Sequence, residues 1–139
     1  MKYQKILSEN LVQCTLCPRF CKLKEGKKGF CFVRENKNNE IVLNTYGFNT
    51  GLSVDPVEKK PLYHFYPETP ILSFGTTGCN MGCIFCQNYL TTKSKVDPKT
   101  LNKTEPGEIV EILKKYNINL IAFTYNEPVI FFEYALDTI

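Results

Sequence analysis

Seven cysteines among 139 residues constrain this chain more than any other feature. They fall into two groups, Cys14, Cys17, Cys21 and Cys31, then Cys79, Cys83 and Cys86. An odd count argues against a disulfide framework, and the N-terminus MKYQKILSEN turns polar too soon for a secretory signal. Short-spaced thiols in a reducing compartment bind metal or carry redox chemistry. With 43% apolar and 22% charged residues the composition is that of a globular chain. No apolar run nears the roughly 20 residues that span a bilayer. A cytoplasmic protein with no membrane partner is the expectation.

Local patterning divides the chain into three stretches. Residues 1–46 read as an irregular, cysteine-rich metal-binding module, broken by Pro18, Gly26 and Gly29 and ending in a short strand, EIVLNTY (40–46). Residues 47–70 read as a Pro- and Gly-containing connection. Residues 71–139 then alternate strand and helix. The apolar run 71–74 predicts a buried strand, followed by a glycine-rich loop, GTTGCNMGCIFCQN (75–88). Thr104 can cap a helix near Pro106, with Ile109, Ile112, Leu113 and Tyr116 on one face and Asn117 as its stop. Residues 120–123 predict a second strand, TYNEP (124–128) a second loop, and Pro128 with the apolar 129–136 another helix. This βαβα order predicts an α/β fold with a parallel sheet and right-handed crossovers. Both loops then lie at the carboxyl edge, where such sheets bind ligands.

Three thiolates on one short loop suit a 4Fe–4S cluster with one iron left open for a substrate. Gly78 and Gly82 let the backbone wrap closely around it. Zinc is disfavoured there, because structural zinc wants four protein ligands and no fourth Cys or His lies near in sequence. His64, the one histidine, precedes the strand; it reads as a packing or hydrogen-bonding residue, or as a contact to substrate or cluster edge.

The spacing Cys79-x3-Cys83-x2-Cys86 after a first apolar strand resembles the signature of the radical SAM superfamily. DPVEKKPLYHFYP (55–67), SFGTTGCNMGCIFCQN (73–88) and FTYNEP (123–128) resemble a narrower group, the AmmeMemoRadiSam-system radical SAM proteins, relatives of pyruvate formate-lyase activating enzymes. Cys14-x2-Cys17-Pro-x2-Cys21 with Gly26, Gly29, Cys31 and Arg34 fits that group too. The resemblance implies a partial (β/α)6 barrel that is only begun here: the 53 residues after Cys86 supply about one and a half βα units. It implies a cluster that reductively cleaves S-adenosylmethionine to a 5′-deoxyadenosyl radical, which takes hydrogen from a protein or small-molecule substrate, as a glycyl-radical activase does. A flavodoxin or ferredoxin would supply the electron. Phe85 matches the family's aromatic position near the adenine. Tyr125, Asn126 and Glu127 occupy the slot of a polar motif that faces the methionine amino group, in place of Gly-Gly-Glu. Capping the following helix is the plainer role for Asn126 and Glu127.

Cys14, Cys17, Cys21 and Cys31 make a complete four-thiolate set, for which structural zinc is favoured over an auxiliary iron–sulfur cluster. Seven Lys or Arg against two Glu fall between Arg19 and Lys37. They read as a solvated face, or as local charge offsetting the thiolates; nucleic acid is disfavoured, since no aromatic platforms interleave them. A rival to the enzyme is an electron-carrying or structural metal-binding module, ferredoxin-like or zinc-ribbon-like. Such a carrier would keep four cysteines on each cluster.

Overall fold

The structure, a computed structural model, describes residues 3–93, 97 and 100–139. Strands β1 (Gln4–Ser8), β2 (Leu11–Cys14) and β3 (Lys22–Lys24) form an antiparallel sheet in that order. A hairpin of β4 (Arg34–Lys37) and β5 (Glu40–Leu43) follows, turned by Asn38 and Asn39 at φ 54° and 62°. Two successive left-handed residues match the twist of a two-residue hairpin, and asparagine tolerates that conformation. The expected irregularity of the first forty residues is therefore corrected. These strands are three to five residues long, and β4 (RENK) carries no apolar side chain, so periodicity could not show them. Its inward-facing residues are Arg34 and Asn36, both buried.

The stretch 47–70 is not a bare connection either. It contributes β6 (Phe48–Asn49), β7 (Ser53–Pro56) and a 3-10 turn at Val57–Lys59. Next come β8 (Pro70–Phe74), the single-turn helix α1 (Tyr89–Thr92), β9 (Asn102–Lys103), helix α2 (Pro106–Lys115) and β10 (Leu120–Phe123). A 3-10 turn at Pro128–Phe131 leads into α3 (Phe132–Leu136). β6 pairs with β9 as a short antiparallel ribbon.

The central sheet runs β10–β8–β7. β8 and β10 are parallel, Ile71 opposite Leu120 through Phe74 opposite Phe123, with α2 between them in sequence as the anticipated crossover. β7 joins the other edge antiparallel, Ser53 opposite Ser73. SVDP shows too little apolar alternation to announce a strand, and its proline is admissible at an edge. The architecture is mixed α/β, and no barrel closes among the described residues.

Helix α2 starts on Pro106, but its N-cap is Glu105 rather than Thr104. The Thr104 N–H instead donates to the Gly47 carbonyl at 2.8 Å, while the Glu108 carboxylate accepts the Glu105 N–H at 2.6 Å. Ile109 is buried and Ile112 and Leu113 pack against the core, as the helical spacing predicts. Tyr116 does not join them: it sits at the C-cap and is exposed. Asn117, at φ 52°, ends the helix in the left-handed conformation typical of that position.

Leu72 and Phe74 of β8 meet Ile109, Ile118, Ile130, Phe131, Tyr134 and Ala135 in one core, which also takes in Cys31 and Val33 from the first cysteine stretch. Phe74 stands edge-on to Phe123, centroids 5.4 Å apart, and 5.5 Å from Tyr134. Burial pushes the Tyr134 phenol up to about 12; its hydroxyl donates to the Thr104 carbonyl at 2.5 Å. Arg34 is buried across the same junction. Its Nε donates to the Ile130 carbonyl at 2.9 Å and its Nη1 to Glu133 Oε1 at 2.7 Å. No helix among the described residues is long and apolar enough to cross a membrane.

Candidate metal centre

The loops after β8 and β10 meet on one rim, as the parallel arrangement requires. The Thr124 N–H continues the ladder to the Phe74 carbonyl at 2.9 Å. Asn126 then ties the second loop to the first: its Oδ1 accepts the Thr76 N–H at 3.3 Å, and its Nδ2 donates to Thr76 Oγ1 at 3.0 Å and the Gly78 carbonyl at 2.9 Å. Asn88, at the far end of the cysteine loop, donates from Nδ2 to the Tyr125 carbonyl at 3.0 Å. Gly75 lies so close to Thr124 that a Cβ there would collide with its carbonyl oxygen.

Within this frame Cys79 is buried, and Cys83 and Cys86 are half-buried. The Cys79 Sγ accepts the Met81 N–H at 3.4 Å, and the Cys86 Sγ lies 3.3 Å from Thr92 Oγ1. Gly78 holds φ 80°, and a Cβ there would strike the Cys31 carbonyl, so only glycine can set Cys79 at this depth. From Met81 the loop is open to solvent: Ile84 is 99% exposed and Phe85 82%. The donor set fits a 4Fe–4S cluster with one iron uncommitted: three thiols on one loop, half or fully buried, with no histidine among the loop's residues. Among the described residues no group of three or more Cys, His, Asp or Glu stands already at ligating separation. Binding would have to draw the thiolates in.

The four earlier cysteines converge on a different place. Cys14, Cys17, Cys21 and Cys31 all line one small pocket, with Leu16, Arg19, Gly29, Arg34, Asn80 and Ile130 completing its wall. Cys14 closes on Cys21 through a 2.9 Å backbone hydrogen bond. Burial pushes the Cys14 and Cys31 thiols up, and the Arg34 guanidinium works against that shift at both. The charge-rich stretch thus divides. Arg34 is buried beside the Cys14 and Cys31 thiols, whereas Arg19, Lys22, Lys24, Lys27, Lys28 and Lys37 are exposed.

Of the residues that the resemblance points to for S-adenosylmethionine, Tyr125 and Phe85 are exposed on this rim. Tyr125 has φ 70°, and the Lys60 ammonium stands 5.8 Å from its ring. Asn126 spends its amide on the cysteine loop. Glu127 accepts the Val129 N–H at 3.5 Å as a long helix-start cap. His64 lies in an exposed aromatic stretch, and Lys59 pairs with Asp55 at 2.6 Å. Patterning along the chain gave no notice of Thr76, Asn80, Asn88 or the hydrogen bond from Arg19 to the Asn80 carbonyl; a polar residue two or three positions from a ligand cysteine is the signal that marks such supports.

Residues 74–139 match the family described as the radical SAM superfamily. That match supports placing the part of the chain that carries Cys79, Cys83 and Cys86 in this superfamily. The chain is also 44% identical over 138 residues to Uncharacterized protein MJ0808 of Methanocaldococcus jannaschii, an alignment covering 99% of this chain and 41% of that protein. The chain therefore spans about two-fifths of the length of this curated relative. No solved structure gives a significant match.

Proposed function

We propose that this chain carries the cluster-binding part of a radical SAM enzyme, with Cys79, Cys83 and Cys86 as the protein ligands of a 4Fe–4S cluster. The observation that carries the reading is the three-thiol loop at the carboxyl end of β8, hydrogen-bonded to the loop after β10, within the residues that match the superfamily. When bound, such a cluster supplies the electron that cleaves the sulfonium C–S bond of S-adenosylmethionine, and the 5′-deoxyadenosyl radical so released takes a hydrogen atom from substrate.

The chain's own residues prepare that chemistry. Gly78 turns the backbone so that Cys79 sits inside while Cys83 and Cys86 stay near the surface. Asn126 and Asn88 hold the two loops at fixed separation, which limits the reorganisation that ligand binding demands. Phe85 offers its ring to the adenine. Glu127 and Tyr125 flank the place for the methionine amino group, where a carboxylate makes a charge-assisted hydrogen bond. A glycyl residue of a partner protein is the substrate class that the likeness to pyruvate formate-lyase activating enzymes favours, with flavodoxin or ferredoxin as reductant and the cytoplasm as location.

The test is anaerobic reconstitution with iron and sulfide, followed by dithionite and S-adenosylmethionine. The expected results are a reduced-cluster electron paramagnetic resonance signal that shifts when S-adenosylmethionine is added, and formation of 5′-deoxyadenosine. A loaded cluster whose signal ignores S-adenosylmethionine, with no 5′-deoxyadenosine formed, rejects the proposal.

A further inference from the structure

The first cysteine group and the cluster loop share a wall. We propose that Cys14, Cys17, Cys21 and Cys31 hold one zinc-class divalent ion, and that this site braces the loop bearing Cys79.

Convergence is the first argument. Cys14 ends β2, Cys17 and Cys21 lie in the turn to β3, and Cys31 precedes β4, yet all four residues line the same pocket, where ion binding would have to draw their thiols the remaining distance together. Tight local turns bring them there: Phe20 and Phe32 take left-handed φ of 45° and 67°, and Gly29 donates to the Arg34 carbonyl at 2.8 Å. At Gly29 a Cβ would stand 3.6 Å from Cys21 Sγ, in ordinary contact with the thiol, which places Gly29 against the group.

Size is the second argument. The pocket measures about 20 Å³, room for about one water-sized body. A single ion drawing four thiolates to about 2.3 Å fits that space.

Charge is the third. Four thiolates around a divalent ion carry two net negative charges, which a poorly hydrated site must offset. Arg34, 3% exposed, stands on the pocket wall, and the exposed Arg19 borders the pocket from the solvent side. Arg34 also serves Glu133, so its compensation is shared; Arg19 is held in place with its guanidinium 3.5 Å from the Phe30 ring centre.

The brace follows from what lies on the far side. Asn80, next to Cys79, lines the same pocket, and its carbonyl accepts from Arg19 Nε at 2.5 Å. The Asn80 side-chain oxygen is buried there without a partner, leaving that amide free to turn an N–H toward a thiolate. Cys31 abuts Gly78, which precedes Cys79. An ion fixed on Cys31 therefore fixes the inner end of the cluster loop.

Elemental analysis of the purified whole chain tests this independently of any S-adenosylmethionine chemistry. One zinc per chain is expected in the wild type and in a Cys79→Ala, Cys83→Ala, Cys86→Ala triple variant. Cobalt exchanged into that variant should show intense thiolate-to-metal charge-transfer bands and tetrahedral ligand-field bands. Zinc content should fall several-fold in Cys17→Ser. Titrating the triple variant, which keeps only the four cysteines of this group, with an organomercurial should release zinc in step with those four thiols. A wild-type chain that takes up no zinc, or a triple variant that takes up iron and sulfide instead, overturns the proposal. Loss of iron alone would bear only on the function proposed above.

Discussion

The two cysteine groups differ in how completely the fold encloses them. The first spreads its four cysteines over three strand ends and gathers them around one small pocket, with Cys14, Cys31 and Arg34 buried in its wall. The second carries its three on one continuous loop, buried at Cys79 and half-buried at Cys83 and Cys86, with Met81, Ile84 and Phe85 exposed between them. A complete ligand set suits an ion whose work is structural, because nothing needs to reach it. An open set with one donor too few suits a cofactor that must meet another molecule. The contrast teaches that the same side chain, at nearly the same spacing, is assigned to stability or to chemistry by what surrounds it.

Five measurements break or sharpen this contrast. The largest effect is expected for Cys83→Ala, which should reduce 5′-deoxyadenosine formation to background while leaving the zinc content of the first group at one per chain. A loss of both metals together would show that the two groups are a single site.

Arg34→Ala comes next. It removes a buried cation from the thiol pocket and strands the Ile130 carbonyl and the Glu133 carboxylate. A loss of about 2–3 kcal/mol is expected by urea unfolding, short of the full cost for a wholly buried pair because Glu133 is partly exposed. Gly78→Ala should cost about 1–3 kcal/mol, since alanine resists a φ of 80° and meets the Cys31 carbonyl. Unchanged stability in that variant would mean that the two regions are not in firm contact.

A smaller effect concerns acid. Burial alone would raise the Glu133 carboxyl, but the Arg34 hydrogen bond and charge outweigh it and hold the group below its ordinary value. A carboxylate so depressed contributes stability that is complete above its unfolded value of about 4.5 and is lost as pH falls through the lower folded value. Unfolding midpoints measured from pH 6 down to 3 should decline less steeply for Glu133→Gln than for wild type. Smallest of all in stability is Phe85→Ala, whose ring is 82% exposed: a change within about 0.5 kcal/mol is expected. KM for S-adenosylmethionine should nevertheless rise, because an exposed aromatic beside Cys86 has work to do only when a ligand covers it.

Much of the second half was legible from the order of its residues. The runs 71–74 and 120–123 became β8 and β10, and their parallel pairing brought the cysteine loop and the Tyr125–Asn126–Glu127 loop to one edge. Long apolar runs and a 3.6-residue period survive tertiary context because burial drives both. The first half was not legible in the same way. β3 and β4 offer KLK and RENK, whose pairing depends on neighbours rather than on their own propensity. Thr104 lost the cap to Glu105 because its N–H is committed to the Gly47 carbonyl, where β6 and β9 pair. Tyr116 left the helical stripe because the helix ended beneath it.

By itself the sequence determined the chemistry on offer: seven thiols, their grouping into four and three, and the strand–loop–helix order that carries the second group. Thiol spacing is covalent and local, so folding cannot alter it. Only the tertiary structure decided that Arg34 is buried against the first group while Arg19 and the neighbouring lysines stay exposed. It alone decided that Asn126 serves the cysteine loop, and that Cys31 stands against Gly78. The last two facts join segments 48 and 47 residues apart, Asn126 to Gly78 and Gly78 to Cys31, and a linear pattern cannot encode which faces meet.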